Sequence, residues 1–427
     1  MNVQRCCRNR VSSESWRRMV ETTCVQFRAN RLRSIQVQEF ESQAVRVLAD
    51  GRLGHAITTD AGIDQAGLLK RASSAARYGP LMRLAFPSTR LESGPADPSL
   101  SALSAPDLAA LGEEMVAIIR RPDPRAMVEL ELHCSHERLH IHNSEGGSVS
   151  SHSSRLMVDA WVERHRGDEV LVVFDFFGSA RLDGGHRHFA QRIARRLAWA
   201  RQAQRVTPGR QPIILSPAAV TVLIRPLLMA LSGRRAHSGS SPLAGKLGQA
   251  LFDPRLTLVD DGTLRDQPDG GPVDHEGVPT QRTVLIRNGV LERFYYDLHT
   301  AALAGVPSTG NGRREMLAPP CPLPSNVVLE AGQADLDGMI ASIDEGLLVD
   351  QLIGPGPASA LRGPFSRTIA LGYRIEKGRI TAYVKGAALA GNVYKLLNSL
   401  VAIGDTPTWS GNVCAPYLQV SGLNVTV

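Results

Sequence analysis

Residues 211–232 read QPIILSPAAVTVLIRPLLMALS. A short apolar strand leads to Ser216, an N-cap residue, and Pro217 takes the first helical position, where a missing amide hydrogen costs nothing. The helix that follows is apolar on nearly every side, with Thr221 and Arg225 its only polar interior residues. Burial on most sides is therefore expected, and Pro226 removes one backbone bond and bends the helix. Such a segment belongs at the centre of a domain, and the sequence changes character across it.

Downstream, short strands alternate with Asn-Gly, Lys-Gly and Pro-rich turns. One hairpin is expected over 283–296 around Asn288-Gly289, whose residues suit a primed turn, and another joins 368–375 to 380–384 through Lys377-Gly378. Upstream, Val25 and Phe27, then Ile35 and Val37, then Val45 and Val47 alternate with polar residues before an Asp50-Gly51 turn. A helix is expected over 61–78, a Pro/Ser/Ala-rich connector over 87–106, and a second helix over 107–121. Alternation returns at Val128, Leu130, Leu132 and Cys134. Strands over 155–163 and 169–177 then feed an arginine-bearing helix ending near Arg205. The fold class is α+β in two domains. Residues 1–207 form a mixed domain with helices on a mainly antiparallel sheet, and residues 208–427 form a strand-rich domain.

The composition fits this reading. A chain of 427 residues, 43% hydrophobic and 21% charged, is long enough for two cores. It has no uninterrupted apolar run near the roughly 18 residues a membrane span needs. The opening MNVQRCCRNRVSSESWRRMV is basic without a signal-peptide core, so the cytoplasm is the expected location. Cys6, Cys7, Cys24, Cys134, Cys321 and Cys414 make no CxxC spacing, which indicates neither a disulfide framework nor a zinc knuckle. A net charge of +7 decides little by itself. The densest basic run, Arg192, Arg195, Arg196, Arg201 and Arg205, shares a helix with Phe189, Ile193 and Leu197, and reads as a solvated helix face rather than a nucleic-acid groove.

His133, His136, His140 and His142 fall within ten residues, as metal ligands often do. Strand alternation accounts for them otherwise: with Leu139 and Ile141 facing in, His140 and His142 face out. His275-Glu276 begins like a zinc-peptidase helix, but Gly277 and Pro279 follow and no second His stands four or five residues on.

Taken together, the central segment and the blocks GSSPLAGKLGQALFDPRLTLVDDG (239–262), EGVPTQRTVLIRNGVLERFYYDLHTAALAG (276–305), STGN (308–311), PSNVVLEAG (324–332), GPFSRTIALGYRIEKG (363–378) and GAALAGNVYKLLNSLVAIGD (386–405) resemble, in that order, the C-terminal domain of the TldD/PmbA family, also called TldD/TldE. The first domain resembles it more loosely, through DGRLGHAITTD (50–60). In that family one subunit carries a zinc-binding HExxxH helix, which falls here on residues 218–231. Matching from upstream puts its first histidine at Arg225, and matching from downstream puts it at Ile224. There is no His between His188 and His237 and no carboxylate in the helix. The family's near-C-terminal cysteine ligand falls near Ala402, about a dozen residues before Cys414. The chain is thus similar to PmbA/TldE, the subunit without the metal.

That resemblance implies a non-catalytic, substrate-holding subunit with no cofactor and no catalytic residue of its own. Its partner is a TldD-like chain bearing zinc, and together they cleave unfolded or leader peptides in a shared cleft. Glu276, Gly277, Ser308, Thr309, Gly310 and Asn311 are the residues expected to line that cleft, because glycine-bearing loops let a substrate backbone come close. An alternative of another class is a diverged stand-alone enzyme with metal-independent chemistry, drawing on His275, Glu276 and Asp253. Nucleic-acid association, suggested by the family's older label as DNA gyrase modulators, has no binding motif behind it.

Overall fold

The computed structural model describes residues 11–60, 62–95, 97–314, 318–354 and 360–427. Cys6, Cys7 and the expected helix start at Ala61 lie outside these. The first domain is built from β1 (Ser12–Arg28), β2 (Arg31–Ala49), β3 (Arg52–Thr58), α1 (Gln65–Ala76), β4 (Arg90–Ser93), α2 (Pro98–Ser101), α3 (Ala105–Arg120), β5 (Met127–Asn143), β6 (Ser148–Arg166), β7 (Glu169–Ser179) and α4 (Gly185–Trp199). Its seven strands form one sheet in the order β3-β2-β1-β5-β6, with β7 and β4 both pairing with β6; only the β4–β6 pairing is parallel.

Several strands run longer than alternation alone suggests, and β5 explains why. Its first half buries Val128, Leu130, Leu132 and Cys134 against α3 and α4. Its second half buries Glu137, Leu139 and Ile141, which have the opposite parity and so point to the other face. There Leu139 and Ile141 pack with Trp16, Ala44 and Val149 and meet Val273 of the second domain. One strand thus serves two layers on opposite sides, and a search for a single buried face stops where the parity changes. The helix limits follow capping. Asp64 accepts the Gly67 N–H at 2.8 Å to start α1, and Ser104 with Asp107 forms a capping box on α3. The connector over 87–106 holds the short elements β4 and α2, too brief to show a period.

The second domain opens with β8 (Gly209–Leu215) and α5 (Pro217–Ala230). β8 joins a sheet that closes on itself. It lies between Glu345–Ile353 and Leu418–Thr426, which continues through Ala388–Asn392 to Pro364–Glu376, and that last strand pairs back with Glu345–Ile353. A second sheet runs Val290–Leu291, Arg282–Arg287, Leu258–Asp261, Val327–Leu329, Val413–Ala415, Thr408–Ser410. Both expected hairpin turns are present, with φ of 48° and 79° at Asn288-Gly289 and 50° and 71° at Lys377-Gly378. Only Val290–Leu291 of the expected return strand to 296 is a strand.

α5 packs against both sheets, touching Glu345–Ile353 on one side and Val413–Ala415 and Thr408–Ser410 on the other. Ser216 caps it by accepting the Ala219 N–H at 3.2 Å, and its hydroxyl donates to the Asp350 carbonyl at 2.8 Å. Val220, Leu223, Ile224, Leu227 and Leu228 sit in the core, each contributing roughly 1.5–3 kcal/mol by leaving water. That burial outweighs the backbone bond lost at Pro226.

Candidate functional site

On α5 one stripe escapes the core. Thr221, Arg225 and Met229, four residues apart, lie on the same side of the helix. Thr221 is buried, its hydroxyl donating to the Pro217 carbonyl at 2.9 Å, while Arg225 and Met229 are exposed. Ile224, the other place matched to the family's first histidine, is 1% exposed and belongs to the core. Arg225 faces a cavity of about 360 Å³ between the domains. Phe174 and Phe176 of β7, Gln351 to Gly354, Arg367 and Ser410 complete its walls, which are mostly apolar.

The floor beside this cavity is a buried charge relay. Arg196 of α4 reaches Asp175 at 2.7 Å and Asp350 at 2.9 Å, tying the first domain to the second. Burial works against the Arg196 charge, but the two carboxylates outweigh it and raise its pKa above the ordinary value. The Asp350 carboxyl is raised as well, because there burial outweighs the attraction of Arg196. The arginine run is therefore no uniformly solvated face. Arg196 is buried, Arg192 is partly buried 3.5 Å from Asp175, and Arg195 lies over the Trp199 ring at 5.0 Å. Arg201 and Arg205 stand beyond the helix end, in solvent. The acceptors that draw Arg196 inward come from distant strands, which no local period reveals.

The loops expected to line a cleft are placed differently. Glu276 is 1% exposed. Its carboxylate meets Arg46 at 2.6 Å and accepts the Leu298 N–H at 2.8 Å. Arg46 also grips Glu14 with two bonds, at 3.1 and 2.6 Å, and Arg314 donates to Glu14 as well. Next to them Asp274 accepts the N–H groups of Glu276, Val278 and Gly312. Burial, with Glu276 nearby, raises the Asp274 carboxyl against those bonds. His275 accepts the Arg314 N–H at Nδ1, 3.0 Å away, and burial followed by Arg313 pushes its pKa down to about 3, so the ring is neutral. Asp253 is engaged elsewhere, with Arg255 at 2.7 Å.

Asn311, fully buried, donates to Asp260 at 2.6 Å and to the Leu323 carbonyl at 3.0 Å. Burial brings the Asp260 carboxyl up to about 6 despite the bonds from Asn311 and Ser325. Thr309 bonds to Tyr296 and Asn311. Gly310 has φ +71°, and a Cβ there would stand 2.7 Å from the Pro279 carbonyl oxygen. Gly277, φ +78°, turns against Pro87 of the first domain. Ser308 and Thr309 border a surface hollow of about 460 Å³ with Tyr296, Phe294 and Val306. Of the six residues, these two border an open space.

His142 is exposed and His140 half-buried, while His136 bonds to Ser154 at 3.0 Å. Among the described residues no three His, Cys, Asp or Glu side chains are placed to hold a metal ion. Cys414 is buried in Val413–Ala415, where burial pushes its thiol up to about 12 and so against the thiolate a metal would need. No helix among the described residues is long and apolar enough to cross a membrane.

This two-domain α+β chain, with its central helix between a closed sheet and an open one, has the fold of solved relatives. Over residues 208–427 the sequence matches the family model described as the PmbA/TldA metallopeptidase C-terminal domain, and the chain belongs to the TldD/PmbA metallopeptidase family. It is 35% identical over 219 residues to the Metalloprotease TldD homolog of Haemophilus influenzae, a match covering 51% of this chain and 45% of that one. With Metalloprotease PmbA of Escherichia coli O157:H7 it shares 26% identity over 362 residues, 77% of this chain and 76% of the relative. Among solved structures it is similar to TldE from Thermococcus kodakarensis, with a TM-score of 0.88, 25% identity and 97% of each chain covered. The first of these matches spans less than half of its relative's length.

Proposed function

We propose that this chain is the non-catalytic, substrate-holding subunit of a heterodimeric zinc peptidase that cleaves unfolded or leader peptides in the cytoplasm. One observation carries the reading: α5, at the place of the family's metal-binding helix, offers no His, Cys, Asp or Glu. Nothing there can bind zinc or act as the general base that a zinc peptidase needs. The likeness to TldE over the whole chain supports the same assignment. The metal and the base would come from a TldD-like partner, and this chain would supply walls and strand edges against which an extended peptide can lie.

Reconstitution tests this. Mixed with a family member bearing HExxxH, the chain is expected to form a heterodimer on size exclusion with light scattering. Cleavage of an unstructured peptide should need both subunits and should vanish when the partner's glutamate is replaced. Full cleavage by this chain alone, surviving a chelator, refutes the assignment.

A further inference from the structure

The cavity over α5 is left electrostatically unfinished. Arg225 has no ion-pair or hydrogen-bond partner among the described residues, although it stands in the wall of a pocket. Arg367, in the same wall, gives one N–H to the Gly354 carbonyl and keeps a buried Nε with no acceptor among the described residues. Gln351 is 2% exposed, and its amide nitrogen donates to the Phe174 carbonyl. Its Oε1 is buried without a donor among the described residues. The one carboxylate in the lining, Asp175, is already engaged by Arg196 and the Phe176 N–H. Buried polar atoms without partners are uncommon in a finished core, because each costs the desolvation of the group. Here two guanidinium groups line the same space, between apolar walls that include Phe174 and Phe176, while Gln351 Oε1 and Arg367 Nε lie closed off within its wall.

We infer that this cavity binds the carboxylate end of an extended peptide, with Arg225 and Arg367 receiving the carboxylate. Guanidinium groups pair with carboxylates through charge-assisted bonds. The apolar walls favour an apolar terminal residue, and a volume of about 360 Å³ lies within the range of small-ligand sites. The inference rests on the substrate-holding role and specifies it: the helix that carries metal ligands in the zinc-bearing subunits carries an anchor for one end of the substrate in this one.

The experiment is calorimetric titration of the purified full chain, without partner or zinc, with three probes. These are N-acetyl-Ala-Ala-Leu as the free acid, the same peptide as its C-terminal amide, and N-acetyl-Ala-Asp-Leu amide. The free acid is expected to bind at least about tenfold more tightly than the neutral amide, the equivalent of one charge-assisted bond. Arg225→Ala and Arg367→Ala should each erase that preference. Binding of the Asp-bearing amide as tightly as the free acid would assign the anchor to side-chain as well as terminal carboxylates, and supports the site. Equal binding of all three probes, no detectable binding of the free acid, or an unchanged preference in Arg225→Ala overturns it. The comparison of acid with amide requires no variant, so a misfolded Arg367→Ala leaves the test decisive. Binding is read without cleavage, so its failure leaves the subunit assignment standing, and a pair that fails to cleave leaves this result standing.

Discussion

Charge is buried in two places in this molecule, and the two are built in opposite ways. Around Arg46, every carboxylate oxygen of Glu14 and Glu276 that faces inward has a donor, and the residues come from β1, β2 and two loops of the second domain. Over α5, the arginines outnumber the free acceptors, and Gln351 keeps an unused carbonyl oxygen. Both lie between the domains, and both contain arginine. What separates them is satisfaction of the carboxylates: in the closed network both acids are paired and fasten two layers together, although Arg314 Nη1 lacks an acceptor among the described residues, whereas in the open one the arginines have no free acid to take. Sequence reasoning ranks them the other way round, since His275-Glu276 looks like chemistry and a lone arginine in an apolar helix does not.

The sharpest way to break this contrast is to cut the closed network. Arg46 is 2% exposed, so Arg46→Met leaves the buried Glu276 without its arginine and Glu14 with Arg314 alone, a change that typically costs about 3–5 kcal/mol. Chemical denaturation of the variant should show a loss of that size, the largest expected from any single change proposed for this protein. A loss below about 1 kcal/mol would mean that water reaches Glu14 and Glu276, and that the network is not closed.

A smaller effect tests an intermediate case. Burial alone would raise the Glu137 carboxyl, but Arg155 at 3.0 Å and Arg18 at 2.7 Å outweigh it and bring it from an ordinary 4.5 to about 2. A carboxyl whose pKa falls on folding contributes stability that is fully present above about 4.5 and is lost as pH falls towards 2. The size of the shift corresponds to about 3 kcal/mol at most, reduced because both arginines are about a quarter exposed. Glu137→Gln should therefore lower the melting temperature clearly at pH 7, with the gap to the parent closing as pH falls from 5 to 3. A gap independent of pH would assign the loss to packing instead of charge.

How much of this was legible beforehand depended on range. The apolar run after Ser216, the primed turns at Asp50-Gly51, Asn288-Gly289 and Lys377-Gly378, and the alternation through Val128–Cys134 all involve neighbours in sequence, and the structure places each as its pattern implies. What escaped depends on partners brought from far away. Nothing near Arg196 announces Asp350, and nothing near Glu276 announces Arg46, 230 residues earlier. The parity change within β5 was hidden for the same reason, since the second covering layer comes from the other domain. Of the cavity, Arg225 alone stood out, because a charge within an apolar helix is conspicuous; Arg367 and Gln351 lie on strands where polar residues are ordinary.

The smallest expected effect is the other half of the contrast. If the cavity over α5 is open, Arg225 contributes little to folding: it is exposed, makes no ion pair among the described residues, and occupies a mid-helix position where alanine is at least as favourable. Arg225→Ala should then change the unfolding free energy by no more than about 0.5 kcal/mol, the ordinary range for a surface substitution. The measurement is denaturation of the variant beside Arg46→Met under identical conditions, where the two should differ by several kcal/mol although each removes one arginine from between the same two domains. A loss above about 1 kcal/mol in Arg225→Ala would mean that its guanidinium already has a partner within the fold. The contrast between a closed and an open network would then fail at its open end, and the carboxylate anchor would fail with it.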